Sequence, residues 1–183
     1  DKAGYAAGVL KRVLSQRERY GASDLGGGKN VCVEFSSINI AKPFHIGHLP
    51  STAIGNSLNR IYKFLGYHTI AINHLGDWGT QFGKMIVAYK RWGGGKPIEE
   101  SNVRELVKLY VRFHEEAEKE EAANADKHSA LNDEARAWFR KIEQGDAEAV
   151  SLWQRMKELT LKEVGAVYDL LGVQFDSYAG ESF

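Results

Sequence analysis

The sequence predicts an α/β fold in which a strand–helix–strand unit of a parallel sheet precedes a mostly helical region. Three observations carry that expectation. Two short β-rich runs, at residues 31–35 and 69–72, flank a segment whose apolar residues recur at helical spacing. From residue 101 to 171 the apolar period is helical almost throughout. The 183 residues, 43% hydrophobic and 26% charged, have the composition of a globular domain with a real core rather than a disordered or fibrous chain.

The elements follow in order. Tyr5, Val9, Leu10, Val13 and Leu14 predict an opening helix ending near Gly21, and Gly26, Gly27 and Gly28 a flexible loop. Val31, Cys32, Val33, Glu34 and Phe35 predict a buried strand interrupted by one carboxylate. Ile54, Leu58, Ile61 and Leu65 mark an amphipathic helix closed by Gly66, with Pro50 in its first turn, where a missing amide costs nothing. Thr69, Ile70, Ala71 and Ile72 form the next strand, and Phe82, Met85, Ile86 and Tyr89 a helix stopped by Gly93. Three more helices carry Val103 to Phe113, Leu131 to Ile142, and Val150 to Val167; Trp138 and Trp153 lie on their apolar stripes. Gly172 ends the last, and Val173, Gln174 and Phe175 are expected to begin an edge strand.

One cysteine, Cys32, excludes an intrachain disulfide framework and fits a reducing compartment. The apolar runs fall far short of the roughly 20 residues that cross a bilayer, and no leader pattern opens the chain. A cytoplasmic chain without a membrane partner is expected. It begins with Asp1 rather than Met, so an excised piece or a processed product is expected too. The net charge of zero hides a balance of +8 over residues 1–98 and −8 over residues 99–183. That asymmetry suits a polyanionic ligand on the first half, or reflects ordinary variation among helical surfaces. The glutamates of residues 115–121 read as a solvated helix face.

The chemistry concentrates between the first strand and the next helix, where open parallel sheets bind ligands and a helix N-terminus favours phosphate. His45 and His48, three residues apart, could both face such a site, with Gly47 leaving room for a flat group against the backbone. No Cys or carboxylate stands at metal-ligand spacing beside them, so no metal site is expected. Ser36 and Ser37 read as loop hydrogen-bonders, not nucleophiles. In the block from Gly76 to Gln81, the glycines suit a tight turn and Asp77 or Thr80 a helix cap, with Asp77 or Gln81 as the residues able to reach a substrate.

Taken whole, the string Glu34-x-Ser36-Ser37-x-Asn39-x-Ala41-Lys42-Pro43-x-His45-x-Gly47-His48-Leu49 resembles the arginyl-tRNA synthetases, class I enzymes marked by a His-x-Gly-His element. The blocks Asn73 through Gly83 and Phe175 through Ser182 resemble the same family. The chain departs from many members at Ile38, where they have proline, and at Pro50, where they have arginine. The resemblance implies the first half of a Rossmann-like nucleotide-binding fold at residues 1–95 and a mostly helical connective insertion at residues 96–183. It implies ATP binding by Lys42, His45, Gly47 and His48, with His45, His48 and Lys42 acting in catalysis. It implies an arginine pocket at Glu34, Asn39 and His74, Mg²⁺ arriving with ATP, and tRNA(Arg) as the partner of the full-length enzyme. The second half of the nucleotide-binding fold, its lysine loop and the family's terminal domains have no counterpart in these 183 residues, so this chain alone is expected to be inactive. Two other readings stay open: a stand-alone nucleotidyltransferase sharing the His-x-Gly-His element, and a non-catalytic synthetase-derived binding module whose acidic half docks a protein.

Overall fold

The computed structural model describes all residues, Asp1–Phe183. Six helices and two strands run in the order α1 (Lys2–Gln16), β1 (Asn30–Glu34), α2 (Leu49–Phe64), β2 (His68–Ile72), α3 (Thr80–Trp92), α4 (Val103–Ala123), α5 (Ala130–Glu143) and α6 (Ala147–Leu171). Single 3₁₀ turns follow α1 and precede α4. β1 and β2 pair in parallel, Asn30 opposite His68 through Glu34 opposite Ile72, with α2 as the crossover. The mixed α/β class expected from the sequence is present, and no helix is long and apolar enough to cross a membrane.

Local chemistry sets the helix boundaries. Asn102 and Glu105 form a reciprocal capping box at the start of α4, and Asp146 accepts from the Ala149 amide at the start of α6. Gly172 closes α6 in the left-handed region at φ 63°. The core gathers where α3 is enclosed by α4, α5 and α6. Phe82, Met85 and Ile86 of α3 meet Leu106 and Phe113 of α4, Leu131 and Trp138 of α5, and Met156 and Val164 of α6 in one continuous buried cluster. Gly83 permits this: a Cβ there would overlap the Ala135 carbonyl oxygen, so α3 and α5 pack almost backbone to backbone. Trp138 is core as expected, with the Lys90 and Lys141 ammoniums 4.7 and 4.2 Å from its ring. Trp153 is half-buried and spends its indole N–H on the Asp77 carbonyl at 2.8 Å.

α1 forms as expected but buries no residue, leaving Leu10 and Leu14 exposed. Three expectations need correction. β1 is only half-covered, with Cys32 exposed, since a single strand pairs with it. α2 sets Thr52, Gly55 and Asn59 inward, whereas Ile54, Leu58 and Ile61 of its apolar stripe are exposed. Finally, residues 173–175 make no strand. Asp176 Oδ2 takes the Ala71 amide at 2.8 Å and the Asp176 amide returns to the Ala71 carbonyl, so a side chain replaces the ladder and one parallel bridge remains, Ile72 with Ser177. The glutamate run is solvated at Glu115 and Glu118, but Glu120 accepts from the Ser129 hydroxyl and the Leu131 amide and so secures the start of α5.

Candidate active site

The loop from Phe35 to His48 leaves the carboxyl end of β1 and enters the N-terminus of α2. Its backbone is unusual. Of the five non-glycine residues in the chain with positive φ, three are here: Ser36 (71°), Ser37 (46°) and Ala41 (60°). Each costs on the order of 1 kcal/mol and persists only where surroundings enforce it. The surroundings are hydrogen bonds. Ser36 Oγ lies 2.7 Å from the buried Tyr168 hydroxyl, Ser37 Oγ donates to Glu34 Oε1 at 2.8 Å, and the Ala41 amide donates to Thr160 Oγ1 at 3.0 Å. Both serines are therefore loop hydrogen-bonders, as the sequence suggested.

His45 and His48 stack on one side of the loop, ring centroids 3.9 Å apart. The Gly47 amide donates to His45 Nδ1 at 3.0 Å, and the His45 amide donates to His48 Nδ1 at 3.2 Å. Once Nδ1 accepts, the proton of a neutral imidazole sits on Nε2, so both rings keep a donor free of the loop. Partial burial, then His45 and Lys42 as neighbouring positive groups, hold the His48 imidazole below the ordinary histidine value, favouring the neutral ring. The absence of a side chain at Gly47 serves this geometry: a Cβ would stand 2.8 Å from His45 Cε1.

Beside the stack lies a cleft of about 480 Å³ between the loop, α3 and α4. Asn39, Lys42, His45 and Gln81 give it polar groups, and Met85 and Tyr110 are among its apolar and aromatic walls. Of the residues singled out in the sequence, Asn39, Lys42, His45 and Gln81 meet in this cleft; Glu34, Gly47, His48, His74 and Asp77 do not line it. Glu34 is exposed at the end of β1, and His74 is exposed just past β2. Asn39 bridges to Gly76, which brings the loops after β1 and β2 together.

Asp77 neither caps α3 nor reaches the cleft. The cap position is Gly79, without a side-chain bond. The Asp77 side chain is fully buried, pairs with Lys157 of α6, and accepts from the Ser182 amide at 3.0 Å and the Ser182 hydroxyl at 2.7 Å. Burial opposes its charge, but those bonds outweigh it and hold the carboxyl below the usual aspartate range.

The sequence reading missed Tyr168 and Thr160. Both occupy the stripe Met156, Thr160, Val164, Tyr168, four buried residues at i, i+4 spacing on α6. On such a stripe a tyrosine or threonine looks like core, and the groups they hold are more than a hundred residues away in the chain. The one available signal is the pair of hydroxyls in an otherwise apolar row.

A parallel strand–helix–strand unit with a polar loop beyond the strand ends gives this chain the α/β arrangement at whose edge open parallel sheets take their ligands. The family described as tRNA synthetases class I (R), catalytic domain, matches residues 9–183. The chain is 55% identical over all 183 residues to arginine–tRNA ligase of Clostridium perfringens, of which it covers 31%. It is 58% identical over 179 residues, 98% of the chain, to arginine–tRNA ligase of Alkaliphilus metalliredigens, of which it covers 30%. Among solved structures, arginyl-tRNA synthetase of Plasmodium falciparum superposes with a TM-score of 0.64 at 32% identity over 88% of this chain and 25% of that one. This chain belongs to the arginine-type catalytic-domain family of the class I tRNA synthetases. It spans about a third of the length of the curated relatives it matches.

Proposed function

We propose that this chain is the catalytic-core portion of an arginine–tRNA ligase, acting in the cytoplasm within a longer protein. The arginine carboxylate attacks the α-phosphorus of ATP, pyrophosphate leaves, and the arginyl group passes from the adenylate to the terminal adenosine of tRNA(Arg). The observation that carries this reading is the stacked His45–His48 pair, with Nε2 donors free beside Lys42 at the N-terminal end of α2. Imidazole N–H donors and an ammonium placed where negative charge grows on phosphate oxygens lower the barrier without reorganising. Gly47 lies against the nucleoside. Glu34 supplies the carboxylate for the guanidinium or ammonium of arginine, with Asn39 and His74 completing that pocket.

No group of three or more His, Cys, Asp or Glu side chains able to hold a metal ion occurs in the structure. Mg²⁺ arrives with ATP and neutralises charge on the polyphosphate. Residues 1–95 form the opening helix and half of the nucleotide-binding unit, and residues 96–183 a helical insertion that returns to it. The family match running through residue 183 supports this reading over a stand-alone nucleotidyltransferase. The test is arginyl transfer by the full-length protein with tRNA(Arg), arginine, ATP and Mg²⁺. Product is expected, together with loss of about 100-fold or more in kcat for His45→Ala plus His48→Ala; absence of product with intact tRNA refutes the proposal.

A further inference from the structure

α6 reaches the loop at two points, and both are left-handed turns. Thr160, fully buried, accepts the Ala41 amide at 3.0 Å and spends its one proton on the Met156 carbonyl at 2.8 Å. Two turns along the same face, Tyr168 receives Asn73 Nδ2 at 2.9 Å, which leaves its own proton for Ser36 Oγ at 2.7 Å. The contact continues: Thr52 Oγ1 sits 3.0 Å from Ser36 Oγ and donates to the His48 carbonyl at 2.8 Å. Ala41 immediately precedes Lys42, and the His48 carbonyl belongs to the second imidazole residue. The two hydroxyls thus grip both flanks of the segment that carries Lys42, His45 and His48, and neither faces the cleft.

We infer that Thr160 and Tyr168 are positioning residues, which act through the Ala41 amide and the Ser36–Thr52 hydroxyls to hold Lys42, His45 and His48 in their working arrangement. The inference rests on the catalytic reading proposed above for those three groups. Neither residue touches substrate. A displacement of about 1 Å in a catalytic constellation costs up to about 100-fold in rate, so the loss of one grip is expected in kcat rather than in folding alone.

Two substitutions at residue 160 separate this role from simple packing. Thr160→Val keeps the shape and deletes the hydroxyl; Thr160→Ser keeps the hydroxyl and deletes a methyl. In the full-length protein, kcat for arginyl transfer is expected to fall about tenfold or more in Thr160→Val and in Tyr168→Phe, but to stay within about threefold in Thr160→Ser. The reverse order at residue 160, or equal kcat for all three variants and the parent, overturns the inference. An unsubstituted protein that makes no arginyl-tRNA overturns the catalytic reading instead. A readout independent of substrate then decides the positioning claim. With selectively labelled histidines, the ring resonances of His45 and His48 are expected to shift in Thr160→Val and Tyr168→Phe and to match the parent in Thr160→Ser. Rings unmoved by the loss of either hydroxyl overturn the claim.

Discussion

α1 and α6 are both helices with an apolar stripe at regular spacing, and they meet opposite fates. α1 buries nothing; its Leu10 and Leu14 are 60% and 74% exposed. α6 buries Met156, Thr160, Val164 and Tyr168 on one face and places Lys157 on Asp77 and Glu163 on the Val103 amide. The stripe alone does not separate them. What separates them is the polar content next to the stripe: α6 carries groups that satisfy amides, hydroxyls and a carboxylate elsewhere in the fold, whereas no α1 side chain bonds beyond α1 itself. Apolar period reports which face is ready to be covered; long-range polar partners report that it is.

The contrast is sharpened most by Asp77→Ala, which leaves Lys157, its side chain 23% exposed, without its partner. A loss of about 3–5 kcal/mol is expected in urea denaturation, the range for breaking a buried pair from one side. Met156→Ala opens a cavity in the fully buried stripe and should cost about 2–5 kcal/mol by the same measurement. A smaller effect follows from pH. His48 and His114 are held below the usual imidazole value, by burial first, then by His45 and Lys42 at His48 and by Lys84 at His114, where Glu118 partly opposes the shift. Below about pH 6.5 the unfolded chain therefore binds more protons than the folded one, and stability falls as pH drops from about 7 toward about 5. Urea midpoints across that range are expected to decline less steeply in His48→Gln; an equal decline would remove His48 as a source. The smallest effect is expected for Leu10→Ala in α1, within about 0.5 kcal/mol of the parent, and a loss comparable with Met156→Ala would show that α1 is covered after all.

Sequence reading located every helix and both strands to within a few residues, because those signals are local: spacing, caps and glycine stops. It singled out the loop of residues 34–49 as the candidate site for the same reason, since its informative residues are contiguous. It failed where the determinant is distant. The expected strand after Gly172 is replaced by the Asp176 carboxylate on the Ala71 amide, a bond that spans 105 residues and leaves no trace in propensity. Asp77 has the look of a turn residue or a substrate ligand, yet its partners are Lys157 and Ser182, 80 and 105 residues on. The inward face of α2 was inverted because Gly55 and Thr52, not its leucine and isoleucines, meet the sheet and the loop. Small and hydroxylic residues carry little hydropathy, so a pattern based on it passes over them.

The anchor points of α6 run from Trp153 to Tyr168, about 22 Å of helix at 1.5 Å per residue. They are fixed to one rigid rod, so they are not independent bolts. A slip along the axis by even one residue would take the indole, the ammonium and the two hydroxyls out of register together. An axial displacement of this rod would therefore disturb its anchors together rather than one at a time.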